Sequence, residues 1–488
     1  MSSAVPSYDF VVVGAGSAGY AAARTAVGLG LKTAVVDGAR HLGGLCILRG
    51  CMPTKALLES AHRLHQARRA SEFGLRLKGS IEPHWKKVVH RKNILIEDFA
   101  SYRRDQLHAG NFDFFHATAS FVDAHTLALT PVEAKNKNKV PGTLTLRTAL
   151  IATGSKISLP SVEGLGDVEA LTSDNAIHLT RPPQSLIVLG GGPIAVEFAD
   201  YFHCMGVRVT LIQRSPHILK SMDEEVSAEV ENAFRHDGMT VFTGTELQAV
   251  GKKKNKKWVR FLHGGEVKEI KADQILNGLG REPMTDGLGL EPFHLKRRAR
   301  ALAANLHMQT SLPHLFAAGD VCGPHEVVHV AIQQGETAAR NAAALIRGEK
   351  KLPSRMDYRV PMEIVFSDPE VASVGLTERA AKQEGYEVLS ASYPFNDHGK
   401  SIIMGAKFGF VKCVADATNG RILGAQIVGP HASDLIHEFS VAITLRCTVE
   451  TFLKVPHYHP TLAEIVTYPV EEIAEARSQR VSPTANAK

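Results

Sequence analysis

Two cysteines with four residues between them stand out as candidate chemistry, in Gly43-Gly44-Leu45-Cys46-Ile47-Leu48-Arg49-Gly50-Cys51-Met52-Pro53-Thr54-Lys55. An apolar, helix-like run follows, Ala56-Leu57-Leu58-Glu59-Ser60-Ala61. Pro53 suits the first turn of that helix, where no backbone N–H is needed. Cys51 then lies near a helix N-terminus, whose partial positive charge favours thiolate over thiol. A disulfide between the two would close a very short loop, and in the chain-entropy view short loops stabilise least. A Cys46–Cys51 pair therefore makes more sense as chemistry than as a staple; the alternative is two small residues with no bond. Near the other end, His457-Tyr458-His459-Pro460-Thr461-Leu462-Ala463-Glu464 brings two histidines close to a glutamate. A lone histidine is more often structural than catalytic.

The elements that must position the cysteines come just before them. Phe10-Val11-Val12-Val13 reads as a buried parallel strand. Gly14-Ala15-Gly16-Ser17-Ala18-Gly19 follows, then an Ala-rich helix to about Leu29, then the strand Thr33-Ala34-Val35-Val36, ended by Asp37. This is a β-α-β unit with a dinucleotide fingerprint. Gly14 makes the tight turn, Gly16 lets backbone approach a pyrophosphate, Gly19 lets helix and strand pack, and Asp37 is placed to accept from a ribose hydroxyl. A second unit begins at Ser185-Leu186-Ile187-Val188-Leu189. Its turn is Gly190-Gly191-Gly192-Pro193-Ile194-Ala195, its helix ends near Met205, and its next strand is Val207-Arg208-Val209-Thr210-Leu211-Ile212. Two nucleotide domains are implied. Where the first unit has Asp37, the second has Gln213, followed by Arg214 and Lys220. A carboxylate there holds a free 2′-hydroxyl and repels a 2′-phosphate; an amide with nearby cations tolerates the phosphate. The first unit suits the adenosine of FAD, and the second leans towards NADP over NAD.

A helix from about Lys55 to Ala70 carries Arg63, Arg68 and Arg69 as a solvated face, and a second helix spans about Trp85 to Ala109. A β-ribbon section runs from Phe114 to Thr148, and Ala149-Leu150-Ile151-Ala152-Thr153-Gly154-Ser155 closes it. Strands ending in glycine recur at Gln274 to Gly280-Arg281 and at Leu315-Phe316-Ala317-Ala318-Gly319-Asp320, before a helix from Val327 to about Ile346. Pro353 marks a boundary, after which strands and helices alternate with no glycine nucleotide motif. A chain of 488 residues allows about three domains. Its six cysteines make no secreted disulfide framework, and Cys204, Cys322, Cys413 and Cys447 read as structural thiols. The net charge of +6 is small, and the runs Lys135-Asn136-Lys137-Asn138-Lys139 and Lys252-Lys253-Lys254-Asn255-Lys256-Lys257 read as solvated hairpin tips, not a nucleic-acid surface. There is no signal peptide and no run long enough to span a bilayer, so a cytoplasmic protein is expected. No metal site is expected.

The cysteine stretch resembles the redox-active segment of the flavoprotein disulfide reductases: dihydrolipoamide dehydrogenase, glutathione reductase, mercuric reductase and relatives. The resemblance runs over nearly the whole chain, with the motifs in the family's order. It implies an α/β fold of two Rossmann-like dinucleotide-binding domains, for FAD and NAD(P), plus a C-terminal α+β dimerisation domain. The divisions are 1–159 and 284–352 for FAD, 160–283 for NAD(P) and 353–488 for the interface. It implies an oxidoreductase passing electrons between a nicotinamide cofactor, FAD and a Cys46–Cys51 disulfide, with a small-molecule or protein-bound disulfide or dithiol as substrate. Cys51 is then the flavin-side thiol and Cys46 the interchange thiol. His459 sits in the family's H-P-T-x-x-E motif as the acid/base, oriented by Glu464, the pair coming from the neighbouring subunit of a homodimer. Lys55 matches a lysine paired with the residue matching Glu197, beside flavin and nicotinamide; without the resemblance Glu197 reads as an exposed helix residue. Cofactor contacts are implied for Ala119, Thr153, Gly154, Gly190, Gly192, Gly280, Arg281 and Gly319, and Asp320 would bond the ribityl chain. Arg214 and Lys220 resemble the NADPH-using glutathione reductases. The C-terminal motif, His457 included, is most like dihydrolipoamide dehydrogenase. The alternative is a glutathione-type or mercuric-reductase-like enzyme, although the tail after Ile473 lacks the cysteine pair of the latter.

Overall fold

The structure, a computed structural model, describes residues 5–136 and 138–481. Met1–Ala4, Lys137 and Ser482–Lys488 lie outside the described residues, so the expectations attached to the two chain ends and to the middle of the 135–139 run stop there. The chain divides into two compact units: residues 1–53, 90–158 and 281–357 in the first, and 54–89, 159–280 and 358–488 in the second.

The first unit is built on a seven-stranded sheet. Strand Ser7–Val13 runs parallel between Thr33–Val36 and Thr143–Ile151, with Val11 opposite Ala34 and Ala149. Leu315–Ala317 adds a parallel strand beyond Ile151, and Asp113–Phe115 flanks Thr33–Val36. Val11, Val12, Val35 and Leu150 are fully buried, as expected of strands covered on both faces. The ribbon Ala117–Asp123 and Thr126–Pro131 joins the same sheet as an antiparallel extension. Helix Ser17–Gly28 packs on helix Val328–Ile346 through alanines. Their approach is close enough that a Cβ at Gly335 would collide with the Ala18 carbonyl.

In the second unit, a five-stranded parallel sheet has Ser185–Leu189 between Arg208–Ile212 and Gln274–Asn277. An antiparallel meander, Glu246–Lys253, Lys256–His263 and Glu266–Ala272, lies beside it in sequence. The 252–257 run does form a hairpin tip. Lys257 departs from the expected solvated loop: it is 5% exposed and donates to Glu169 O at 2.6 Å. The strand alternates faces, so adjacent lysines meet opposite environments.

The C-terminal part of this unit is a five-stranded antiparallel sheet, with Ile422–Gly429 paired to Glu370–Gly375 and Phe410–Asp416. Helices Ala432–Thr444 and Thr467–Val481 cover it, burying Ile436, Phe439 and Val470 with Val411 and Ile427. Lys412 is buried in this sheet among Asp223 at 3.1 Å, Glu378 at 2.9 Å and Glu225. Three carboxylates around one ammonium offset the cost of removing it from water.

The helix expected from Lys55 runs from Cys51 to Arg68. Of the three arginines expected on a solvated face, Arg63 and Arg68 are exposed and Arg69 is half-buried. Arg68 donates to Cys204 O at 2.8 Å, and Arg69 pairs with Glu72 and reaches Gly405 O.

Candidate functional site

In the first unit the glycine turn is shaped by contacts that leave no room for a Cβ. Gly14 has φ +104° and backs onto the Ala152 carbonyl, and a side chain at Gly19 would strike Gly14 O. A Cβ at Gly16 meets no protein atom within 4 Å, so that face of the turn is open. An open backbone cradle at a helix N-terminus suits a pyrophosphate. Asp37 is buried at the end of its strand; its Oδ2 accepts from the Ala15 amide at 2.8 Å and Oδ1 from Ala39 at 2.7 Å. The carboxylate therefore braces the glycine turn.

The cysteine segment lies directly against that turn. Gly44, with φ +78°, would place a Cβ 3.0 Å from Gly16 Cα, so only glycine passes here without displacing the backbone. Cys46 is half-buried within a short helix, Gly44–Leu48, which the sequence reading did not separate. Cys51 is exposed and opens helix Cys51–Arg68. A Cβ at Gly50 would lie 3.2 Å from Cys46 Cα, so the loop doubles back tightly between the two cysteines.

On the far side of the sheet ends, Thr153 donates to Met284 O at 2.6 Å, and Gly154 takes φ +72°. Ser155 Oγ donates to Asp320 at 2.6 Å and accepts from Arg281 Nε at 2.9 Å, while Gln334 Oε1 accepts from the Gly319 amide at 2.7 Å. The predicted residues Thr153, Gly154, Arg281, Gly319 and Asp320 thus come together around Ser155. Ala119 is buried on strand Ala117–Asp123.

The second unit repeats the turn with one change. Gly190, at φ +108°, backs onto Gly278 O, and Gly192 opens to free space. The third position is Ala195, and its methyl is accommodated because the facing residue is Gly278, where a Cβ would lie 2.8 Å away. Pro193 starts the helix Pro193–Cys204. Gln213 folds onto Gly191, and Arg214 and Lys220 are exposed, neither in an ion pair with a carboxylate among the described residues. Gly280 has φ +111° and also faces open space.

Glu197 is not an exposed helix residue; its side chain is 5% exposed. Lys55 Nζ donates to both carboxylate oxygens, at 2.8 and 2.9 Å, and the Phe366 amide donates to one at 3.1 Å. The Lys55 ammonium also sits 4.7 Å from the Phe366 ring centre. Further along the same two helices, His62 Nε2 meets Asp200 at 2.7 Å.

His459 Nδ1 lies 2.9 and 3.1 Å from the two oxygens of Glu464, and its side chain is 78% exposed. With Nδ1–H donated to the carboxylate, Nε2 is left as the basic nitrogen, facing outward. Burial pushes the Glu464 carboxyl up, but bonds from His459 and the Thr461 amide outweigh it and hold it below its ordinary value. His457 is held at both nitrogens, by Glu438 at 2.6 Å and Val455 O at 3.0 Å, as a satisfied histidine is. Tyr458 is exposed.

The sequence reading did not connect Tyr20 and Arg24, one turn apart on the first helix, with Arg103 on helix Trp85–His108, whose guanidinium stands over the Tyr20 ring. Their only local signal was a Tyr-x-x-x-Arg directly after the glycine turn; Arg103 is 83 residues away from Tyr20 and no spacing connects them.

Among the described residues there is no helix long and apolar enough to cross a membrane and no cluster of metal-ligating side chains. Residues 8–335 match the family model described as pyridine nucleotide-disulphide oxidoreductase, and residues 362–469 the model of that family's dimerisation domain. The chain is 34% identical to a dihydrolipoyl dehydrogenase of Geobacillus stearothermophilus, over 94% of each chain. It is 35% identical to one of Mycobacterium leprae, over 94% of this chain and 96% of that one. In fold it is similar to the Cu(II) complex of the HOCl-induced flavoprotein disulfide reductase RclA from Escherichia coli, with a TM-score of 0.82, 21% identity and coverage of 96% of this chain and 99% of that one.

Proposed function

The chain belongs to the pyridine nucleotide-disulphide oxidoreductase family, an FAD-dependent oxidoreductase acting on sulfur groups with a nicotinamide cofactor, and from that premise we propose that it is a dihydrolipoyl dehydrogenase-type enzyme working as a homodimer in the cytoplasm. The observation that carries this reading is the Cys46–Cys51 loop seated on the open glycine turn, with Cys51 at a helix N-terminus. The similarity over 94% of the chain to proteins named dihydrolipoyl dehydrogenase supports the substrate class.

When bound, FAD supplies the two-electron transfer between nicotinamide and sulfur that side chains cannot perform. Gly14, Gly16 and Gly19 would hold its pyrophosphate, and Asp320 and Thr153 would line it. Cys51 opens helix Cys51–Arg68, and the partial positive charge of a helix N-terminus favours the thiolate form. Cys46 exchanges with the substrate sulfur. In dithiol oxidation the partner subunit's His459 would take, at Nε2, the proton of the substrate thiol that attacks Cys46, so that the Cys46–Cys51 bond breaks with Cys51 leaving as thiolate. The second substrate thiol then displaces Cys46, which leaves as the thiol, and the substrate disulfide closes. Glu464 keeps the ring in that tautomer and stabilises its protonated form. By resemblance to the family, Lys55, fixed by Glu197, would supply an ammonium to the flavin and nicotinamide when they are bound.

Between the two nicotinamide cofactors, the similarity to dihydrolipoyl dehydrogenases favours NAD over the NADP suggested by the sequence reading. A second reading, NADP, is favoured by Arg214 and Lys220, which follow Gln213 and have no ion-pair carboxylate among the described residues. Anaerobic titration with NADH and, separately, NADPH tests both. A long-wavelength charge-transfer band with NADH, and NAD-dependent oxidation of dihydrolipoamide, are the expected results. Bleaching of the flavin without that band would overturn the role of Cys51, and reduction by NADPH alone would overturn NAD.

A further inference from the structure

We infer that His398, buried beside Glu464, is a positioning residue for the acid/base pair: a second histidine on the Glu464 carboxylate, which presents Nε2–H to it and thereby sets the basicity of His459. That role rests on His459 acting as the acid/base of the proposed reaction.

His398 caps the short helix Gly399–Ile403 and is 1% exposed. Its Nδ1 lies 2.7 Å from Ser401 Oγ, and its Nε2 lies 3.8 Å from Glu464 Oε1. The second distance is within ion-pair reach but longer than a hydrogen bond. Nε2 is buried and has no hydrogen-bond partner among the described residues. Packing fixes the ring: Tyr468 meets it edge-on at 5.9 Å, and Tyr393 stacks on Tyr468 at 4.3 Å. The same Glu464 oxygen is 2.9 Å from His459 Nδ1. One carboxylate thus faces two imidazoles, one buried and one exposed. The tautomer of His398 follows from the charges. A neutral ring with its proton on Nδ1 would turn the Nε2 lone pair on a carboxylate, which is repulsive. With the proton on Nε2, the Ser401 hydroxyl donates to Nδ1 and Nε2–H faces the charge. The titratable groups facing this ring are Glu464 and His459 from the 459–464 segment and Tyr468 from helix Thr467–Val481. Burial works against protonation of His398, Glu464 favours it and His459 opposes it, and the balance lies below the ordinary value. His398 therefore stays neutral when His459 takes a proton. A neutral donor draws on the carboxylate's charge, so less remains to stabilise an imidazolium at His459. His398 in this way holds the His459 pKa below the value that Glu464 alone would set, which suits a base that must also release its proton.

The test treats the FAD-loaded holoenzyme with diethyl pyrocarbonate, which reacts with unprotonated imidazole. Modification of His459 is quantified by peptide mass spectrometry from about pH 5 to 8, so its pKa is read without any turnover. His398→Phe keeps a packed ring beside Tyr468 and removes Nε2–H. It is expected to raise the His459 pKa by about 0.5 or more, roughly a threefold change in the protonated-to-neutral ratio. His398→Gln, whose amide N–H reaches the Nε2 position, is expected to keep most of the wild-type value. A His459 pKa unmoved or lowered in His398→Phe, or raised equally in both variants, overturns the positioning role and leaves the dehydrogenase reading intact. Wild-type His459 that does not titrate in this range overturns the acid/base reading, and the role of His398 with it. Should His398→Phe fail to fold, His398→Asn decides the same question, because it keeps a polar contact with Ser401 and places nothing at the Nε2 position.

Discussion

Glu197 carries a buried charge: its carboxylate is almost wholly removed from water and is balanced by Lys55 and the Phe366 amide. Removing one partner of such a pair leaves a buried charge, which costs about 3–5 kcal/mol. Lys55→Met should therefore lower the unfolding free energy from urea titration by an amount in that range, whereas the double substitution Lys55→Met/Glu197→Met should recover most of the loss. Single and double variants that unfold together would show that the pair contributes through packing alone. At His459 the demand is orientation. Glu464→Gln keeps the shape but removes the charge that steadies a protonated ring. Turnover should fall by about 100-fold or more, the scale of a positioned acid/base, with the charge-transfer band on NADH reduction retained. Loss of the band as well would move Glu464 out of the proton-transfer step.

Three polar contacts join helix Cys51–Arg68 to helix Pro193–Cys204: Lys55 to Glu197, His62 to Asp200, and Arg68 to Cys204 O. The middle one is pH-sensitive. Burial works against protonation of His62, but the Asp200 bond and charge, with Asp368 and Glu370 also facing it, outweigh burial and raise its pKa above the ordinary value. A raised folded-state pKa stabilises fully below the unfolded value of about 6.5 and loses that contribution as pH rises through the folded value. The thermal midpoint should accordingly decline as pH rises above about 6.5, and His62→Gln should flatten that decline; a slope unchanged in the variant would assign it to other groups. The opposite sign applies at the Lys412 cluster. Glu378 is pushed up by burial, yet its bonds to Lys382, Lys412 and Ser390 bring it down to about 2. Its contribution is present above about 4.5 and lost as pH falls towards 2, so acid unfolding of the second unit should be advanced by Glu378→Gln. Equal acid midpoints would mean that other carboxylates dominate.

At the level of the whole molecule, the proposed chemistry needs two copies of the chain. Val441 on helix Ala432–Thr444 and Leu445 just beyond it are 59% and 74% exposed, and Ile402 and Ile403 are 57% and 67% exposed. Large apolar side chains left in water on a domain of this kind mark an interface. Leu445→Asp should shift the protein towards monomer in sedimentation and lower turnover in parallel, while the NADH-induced band survives. A dimer that persists would move the interface elsewhere.

What the sequence determined by itself is local. A strand that ends in a glycine turn announces itself because the turn's backbone angles and the apolar run are both written in consecutive residues, and so the two dinucleotide units, Asp37 and the Cys51 helix start were legible. The His459–Glu464 bond, between partners five residues apart, was legible through the resemblance to the family's H-P-T-x-x-E motif. The Lys55–Glu197 pair was implied by the resemblance, but only the tertiary structure decided that Glu197 is buried, that Lys257 is buried within a lysine run, that His457 is held by Glu438, and that Arg103 and Arg24 stand over one ring. Those facts rest on which distant segment fills the space opposite a side chain. Burial and charge compensation there depend on three-dimensional neighbours, which no spacing along the chain encodes.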